Sequence, residues 1–161
     1  MNKKIVQVYY GDGNGKTSAA VGQCIQAASQ GKTVIIIQFL KGRMEEGFSF
    51  LKKLEPEIKQ FQFEKEDAYY EELPKEQQEE EKKNILNGLN FARKVIETNE
   101  CDVLVLDEVL GLVDYGIITG KDIINLIRLR DDYDKLVLTG RRMPKELSEY
   151  VDQVSEIRKV R

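Results

Sequence analysis

Four short stretches are almost continuously apolar: Ile5-Val6-Gln7-Val8-Tyr9, Thr33-Val34-Ile35-Ile36-Ile37, Val103-Leu104-Val105-Leu106 and Leu136-Val137-Leu138. Each is too short for a stable helix and rich in β-branched residues, so each reads as a strand. Strands that do not alternate with polar residues are covered on both faces, as in a parallel sheet. Between them the spacing changes to three and four residues: Val21, Cys24, Ile25 and Ala28; Ile85, Leu89, Ala92 and Ile96; Ile123, Ile124 and Ile127. That is the period of helices buried along one side. Gly31 suits the end of the first helix, Thr119 with Asp122 forms a capping-box pattern before the third, and Pro144 suits the first turn of a short helix. A last strand is predicted near Val154-Ser155-Glu156-Ile157. Alternating strands and helices predict a three-layer α/β fold around a mostly parallel central sheet, with ligands beyond the carboxyl ends of the strands.

The interval 41–83 breaks this rhythm. Gly42, Gly47, Pro56 and Pro74 interrupt it, and 64–83 is heavily charged. We expect a lid or substrate region over 42–74, inside a single domain that spans 1–161. Phe48, Phe50, Phe61, Phe63, Tyr69 and Tyr70 fall within it, six of the chain's thirteen aromatic residues. That density fits either rings packed into the core or rings lining an apolar pocket.

Composition narrows the functional classes. A chain of 161 residues is long enough for one domain with a substantial core. A net charge of -3 gives no electrostatic reason to bind nucleic acid or an anionic membrane, and no apolar run approaches the ~20 residues of a membrane span. Cys24 and Cys101 lie in apolar contexts without metal-ligand spacing, which predicts buried, reduced thiols and a cytoplasmic protein. The chain has no histidine, so chemistry that depends on an imidazole is excluded.

The most informative segment joins the first strand to the first helix: Tyr10-Gly11-Asp12-Gly13-Asn14-Gly15-Lys16-Thr17-Ser18. A Gly-rich turn can point successive N–H groups at an anion, and the helix that follows presents its positive end. Lys16 would sit among phosphate oxygens, and Thr17 would offer a hydroxyl to Mg²⁺ or Mn²⁺. The general phosphate-loop pattern needs glycine at position 10, where this chain has tyrosine. Leu104-Val105-Leu106 ends in Asp107-Glu108, a buried strand delivering carboxylates of the kind that hold a metal–triphosphate complex. Arg141 follows another strand at Thr139-Gly140, and Lys41 follows Gln38-Phe39-Leu40; both are placed to meet phosphate. Arg142 reads equally well as a surface residue. Together these features predict a P-loop NTPase-like (RecA-like) fold.

The same residues carry a family resemblance. Gly11 to Ala20, Gln38-Phe39-Leu40-Lys41-Gly42, Leu106-Asp107-Glu108, Leu138-Thr139-Gly140-Arg141 and Val154-Ser155-Glu156-Ile157 resemble, in order and spacing, the corrinoid adenosyltransferases of the ATP:cob(I)alamin (BtuR/CobA-like) class. A shortened phosphate loop in that class accounts for Tyr10. The resemblance implies transfer of the 5′-deoxyadenosyl group of ATP to the cobalt(I) of a corrinoid with release of triphosphate, in adenosylcobalamin biosynthesis or salvage. An activity of the cob(I)yrinic acid a,c-diamide adenosyltransferase type is included. It implies Lys16 and Thr17 as catalytic residues, and Gly11, Asp12, Gly13, Asn14, Gly15, Lys16, Thr17, Ser18, Lys41 and Arg141 around the nucleotide. Thr17, Asp107 and Glu108 would hold the metal. ATP and a corrinoid are the implied substrates, a homodimer the implied assembly, and a reductase or flavodoxin the implied electron donor. Where relatives carry a Gly-Phe-Thr-Trp segment against the corrin, this chain has no tryptophan and offers Phe61, Phe63 and Tyr69 instead.

Two other readings compete. A P-loop NTPase or small-molecule kinase would move the γ-phosphoryl group and needs a residue, Glu108 being the obvious one, to orient water or a hydroxyl. A non-catalytic ATP- or corrinoid-binding protein would use the 42–74 region only to close over its ligand.

Overall fold

The computed structural model describes residues 4–40 and 51–161. Six strands form one sheet: β1 (Ile5–Tyr10), β2 (Val34–Gln38), β3 (Ile58–Gln62), β4 (Val103–Asp107), β5 (Lys135–Gly140) and β6 (Gln153–Glu156). Their order is β3-β2-β4-β5-β1-β6, and every neighbouring pair is parallel. The helices are α1 (Lys16–Ser29), α2 (Lys75–Glu97), α3 (Val109–Asp114) and α4 (Gly120–Ile127), with 3₁₀ turns at Tyr70–Glu72 and Lys145–Tyr150. This is the α/β, P-loop NTPase-like architecture predicted from the sequence.

The apolar runs become central strands because side chains one residue apart enter different layers. Val34, Ile36, Val103, Val105 and Val137 face one buried cluster with Ala20, Val21, Cys24 and Ala27 of α1. Ile35, Ile37, Leu104, Leu106, Leu136 and Leu138 face the other, with Ile85, Leu89 and Ala92 of α2 and Ile123 and Ile127 of α4. β4 and β5, buried on both sides, carry no polar residue until they near the edge of the core. That is why the polar side chains collect at the carboxyl ends. β1, by contrast, buries Gln7 in mid-strand, with its side-chain amide donating to the Tyr9 hydroxyl at 3.0 Å.

Both halves of the Thr119–Asp122 capping box form: the Asp122 amide donates to the Thr119 hydroxyl at 3.3 Å, and the Thr119 amide donates to the Asp122 carboxylate at 2.8 Å. Both cysteines are buried free thiols, and burial pushes each pKa up to about 12. No helix among the described residues is long and apolar enough to cross a membrane. The 42–74 interval contains more regular structure than its composition suggested, since β3 extends the sheet beyond β2. Ile58 is buried there, whereas Lys59 to Gln62 are exposed or half-buried, as befits an edge strand with weak apolar patterning.

Candidate functional site

The Gly-rich turn links the carboxyl end of β1 to α1. Gly15 has φ 113° and supplies the N-cap of α1; its carbonyl accepts the Ala19 amide at 2.8 Å. The amides of Lys16, Thr17 and Ser18 therefore lie in the first turn of α1, at its positive end. Asp12, Asn14 and Ser18 are exposed, and Lys16 and Thr17 half-buried. The Lys16 ammonium donates to the Gly13 carbonyl at 2.9 Å, so it already lies over the loop.

The loop is tied at two points. The Gly11 amide donates to the carbonyls of Gly140 and Arg141 at 3.2 and 3.1 Å, and the Gly13 amide donates to the carbonyl of Ile157 at 3.1 Å. The Ile157 amide returns a bond to the Tyr10 carbonyl at 2.7 Å. Gly11 has φ 133°, and a Cβ there would strike the Ile157 carbonyl. A Cβ at Gly13 would stand 2.9 Å from the same oxygen and 3.1 Å from the Lys159 nitrogen. These two glycines thus admit the segment after β6.

Asp107 lies at the end of β4, 1% exposed, and gathers donors from three elements. The Thr17 hydroxyl donates to its two carboxylate oxygens at 3.0 and 3.2 Å, the Thr139 hydroxyl donates to Oδ1 at 2.8 Å, and the Gln38 amide donates to Oδ2 at 3.3 Å. Gln60 of β3 in turn donates to Gln38 Oε1 at 2.7 Å. Glu108 follows in the left-handed conformation with φ 62°, and its amide donates to the Thr139 hydroxyl at 2.7 Å. That bend turns the chain from β4 into α3 and carries the Glu108 side chain away from the buried strand.

A cavity of about 600 Å³ opens beside this strand end. Glu108, Gly111, Asp114 and Tyr115 form one wall, Tyr69, Glu71 and Glu72 another, and Leu40, Arg141 and Arg142 complete it. Tyr115 packs edge-on against Tyr70 at 5.3 Å between ring centres and donates its hydroxyl to Glu71 at 2.9 Å. Burial and the Glu71 bond push the Tyr115 pKa up to about 12, so the phenol stays a donor. At the cavity's edge Leu40 has φ 63°, and its amide donates to Glu64 at 2.7 Å. Burial raises the Glu64 pKa to about 7, the Leu40 bond opposes that shift, and nearby Glu81 adds to it.

The structure brings Thr17, Asp107, Glu108 and the Gly11–Ser18 loop into one region, with Arg141 joined to it through the Gly11 amide. Tyr69 lines the cavity and is 57% exposed, enough to meet a flat ligand. Phe61 and Phe63 instead turn toward Phe91 of α2, with ring centres 4.8 and 5.4 Å away, and pack against the core. Lys41, Gly42, Gly47, Phe48 and Phe50 lie outside the described residues. Sequence reasoning did not single out Gln38 and Thr139 as site residues. Their signal was a polar side chain closing an otherwise apolar run. The cavity acids Glu71, Glu72 and Asp114 gave no comparable signal, because exposed acids are common along this chain.

The family model described as ATP:corrinoid adenosyltransferase BtuR/CobO/CobP matches residues 2–161. Among curated proteins, the corrinoid adenosyltransferase CobA of Salmonella typhimurium is 29% identical over 157 residues, which cover 98% of this chain and 78% of that protein. The corrinoid adenosyltransferase of Escherichia coli is 28% identical over the same length, with the same coverage.

Proposed function

This chain belongs to the ATP:corrinoid adenosyltransferase family BtuR/CobO/CobP and is an enzyme of that transferase class; from that premise we propose how its own residues carry the reaction. Reduced cobalt(I) of the corrinoid attacks C5′ of ATP. The C5′–O bond breaks, its electron pair leaves with triphosphate, and a cobalt–carbon bond forms in which cobalt is formally Co(III). The attacking metal is the nucleophile, so the protein needs no general base. It must align C5′ with cobalt, stabilise the charge that gathers on the leaving oxygen, and exclude water.

The observation that most supports this division of labour is the meeting of Thr17 and Asp107, 3.0 Å apart, directly behind a glycine loop and a helix start. In our reading the triphosphate lies against the amides of Lys16 to Ser18, with Asp12 and Asn14 at the loop's exposed edge. Lys16 leaves the Gly13 carbonyl for the phosphate oxygens and offsets charge as the leaving group departs. Arg141 adds a second cation from the β5 side, and Lys41, outside the described residues, is proposed as a third. The hydroxyl and carboxylate oxygens of Thr17, Asp107 and Glu108 form an oxygen-only donor set that suits Mg²⁺ or Mn²⁺. Such an ion, when bound there, would neutralise phosphate charge. Thr139 and Gln38 keep the Asp107 carboxylate oriented. The corrinoid enters the cavity beside Glu108, where Tyr69 can lie against its face.

We further propose that 1–161 acts as one nucleotide-binding domain whose 42–74 region contributes to the corrinoid side. A cytoplasmic homodimer supplied with electrons by a reductase or flavodoxin completes the reading. The phosphate product separates it from a kinase or NTPase. With reduced corrinoid, Mg²⁺ and ATP, the enzyme should release tripolyphosphate, and Lys16→Ala should lower that release by at least about a hundredfold. ADP with orthophosphate as the main products would overturn it.

A further inference from the structure

We infer that the cavity selects corrinoids whose peripheral side chains are capped as amides over corrinoids that carry them as free carboxylates; this rests on the transferase reading above. Cobalt must reach C5′, so the corrinoid has to sit against the nucleotide. The 600 Å³ cavity shares Glu108 and Arg141 with the proposed nucleotide site, which makes it the place where that contact occurs. A smaller hollow beside Cys101 and Tyr133 lies at the amino ends of β4 and β5, with room for about 10 Å³, and cannot serve.

Among the described residues, the charge on the cavity's walls is one-sided. Four carboxylates line it, Glu71, Glu72, Glu108 and Asp114, against two guanidiniums, Arg141 and Arg142. In the proposed complex Arg141 faces triphosphate and Glu108 faces the metal. What remains toward the corrinoid is Glu71, Glu72 and Asp114 against Arg142. Bound ATP brings further negative charge to the same region.

A corrin ring carries acetate and propionate arms around its edge. As primary amides these arms are neutral and present N–H donors, which exposed carboxylates can accept. As free carboxylates they bring like charge to three acids beside a triphosphate, and juxtaposed like charges are strongly unfavourable. Tyr115 fixes one of the acids, because its hydroxyl holds Glu71 at 2.9 Å. Tyr69 offers the ring face nothing that distinguishes the two classes, so discrimination falls to the acids. Glu72 and Asp114 are the specificity-determining pair, since both are exposed and line the cavity. The polycarboxylate type of substrate included by the sequence resemblance would accordingly rank second.

The test compares reduced cobinamide, fully amidated on its periphery, with reduced cobyrinic acid a,c-diamide, which keeps most of its arms as carboxylates. Both are assayed for cobalt–carbon bond formation at saturating ATP. Cobinamide should have a kcat/KM higher by about tenfold or more, carried mainly by KM, and the ratio should shrink as salt rises. Glu72→Gln with Asp114→Asn should narrow the ratio by lowering KM for the diamide, with KM for ATP as the control for general damage. Equal use of both corrinoids, or a ratio unmoved by salt and by the double substitution, would overturn the selectivity. Failure to alkylate either corrinoid while ATP still binds would overturn the transferase reading beneath it, a distinct result.

Discussion

Thr139→Val is the sharpest perturbation of the site because it removes two hydrogen bonds and almost no volume. Thr139 is fully buried. Its hydroxyl donates to Asp107 at 2.8 Å and accepts the Glu108 amide at 2.7 Å. The first bond involves a carboxylate, and losing such a bond costs roughly 1.5–3 kcal/mol. The second loss strands a backbone N–H in a left-handed bend, which costs about 1–3 kcal/mol. The two are not independent, since both run through one oxygen, so a total of about 2–4 kcal/mol is expected. For a domain of this size, that corresponds to a fall in Tm of roughly 5–15 °C. Thermal and urea unfolding of wild type, Thr139→Val and Thr139→Ser would measure it, with Thr139→Ser keeping the hydroxyl and most of the stability. The same variants should show a raised KM for Mg-ATP in the order wild type, Thr139→Ser, Thr139→Val. A Thr139→Val protein within about 0.5 kcal/mol of wild type and with unaltered KM would refute the argument that this hydroxyl holds Asp107 and Glu108 in place.

Two further expectations concern backbone and pH. Gly11→Ala places a Cβ against the Ile157 carbonyl at φ 133°; it should cost about 2–4 kcal/mol and weaken ATP binding, whereas normal binding by calorimetry would show that the segment after β6 does not constrain the loop. Burial raises the Glu64 pKa from 4.5 to about 7, so between those values the folded protein holds a proton that the unfolded chain releases. Stability should therefore fall as pH rises from about 4.5 to 7 and level off above, and Glu64→Gln should flatten that slope in urea unfolding at pH 5 and pH 8; an unchanged slope would remove Glu64 as its source.

How much of this was legible in the sequence depended on the length of each signal. The central strands announced themselves because burial on both faces leaves no polar position inside Val103–Leu106 or Leu136–Leu138. The helix spacings and the Thr119–Asp122 capping box were equally readable, being local patterns with local causes. β3 was not: at a sheet edge only Ile58 is fully buried, and Lys59, Gln60 and Gln62 hide the strand among charged neighbours. The Gly11–Ser18 loop and Asp107–Glu108 were visible as motifs. Their hydrogen bonding was not, because Thr17 and Asp107 are ninety residues apart and meet only once β1 and β4 share a sheet. The aromatic residues divided in a way composition could not foresee. Phe61 and Phe63 found Phe91, while Tyr69 was left at the cavity because the 3₁₀ turn that follows it carries the chain across the opening. The bond from the Gly13 amide to Ile157 was likewise hidden, because its partner is far away in sequence and no local motif could name it.

The central claim is that this chain joins C5′ of ATP to cobalt and expels an intact triphosphate. The most direct measurement is a single-turnover reaction under anaerobic conditions with stoichiometric reduced corrinoid and Mg-ATP, in which the cobalt–carbon bond is followed by its light-sensitive absorbance and the phosphate products are quantified in the same sample. The account predicts one tripolyphosphate for each cobalt–carbon bond, with both lost together in Lys16→Ala. Tripolyphosphate without a new cobalt–carbon bond, or ADP and orthophosphate in place of tripolyphosphate, would contradict it.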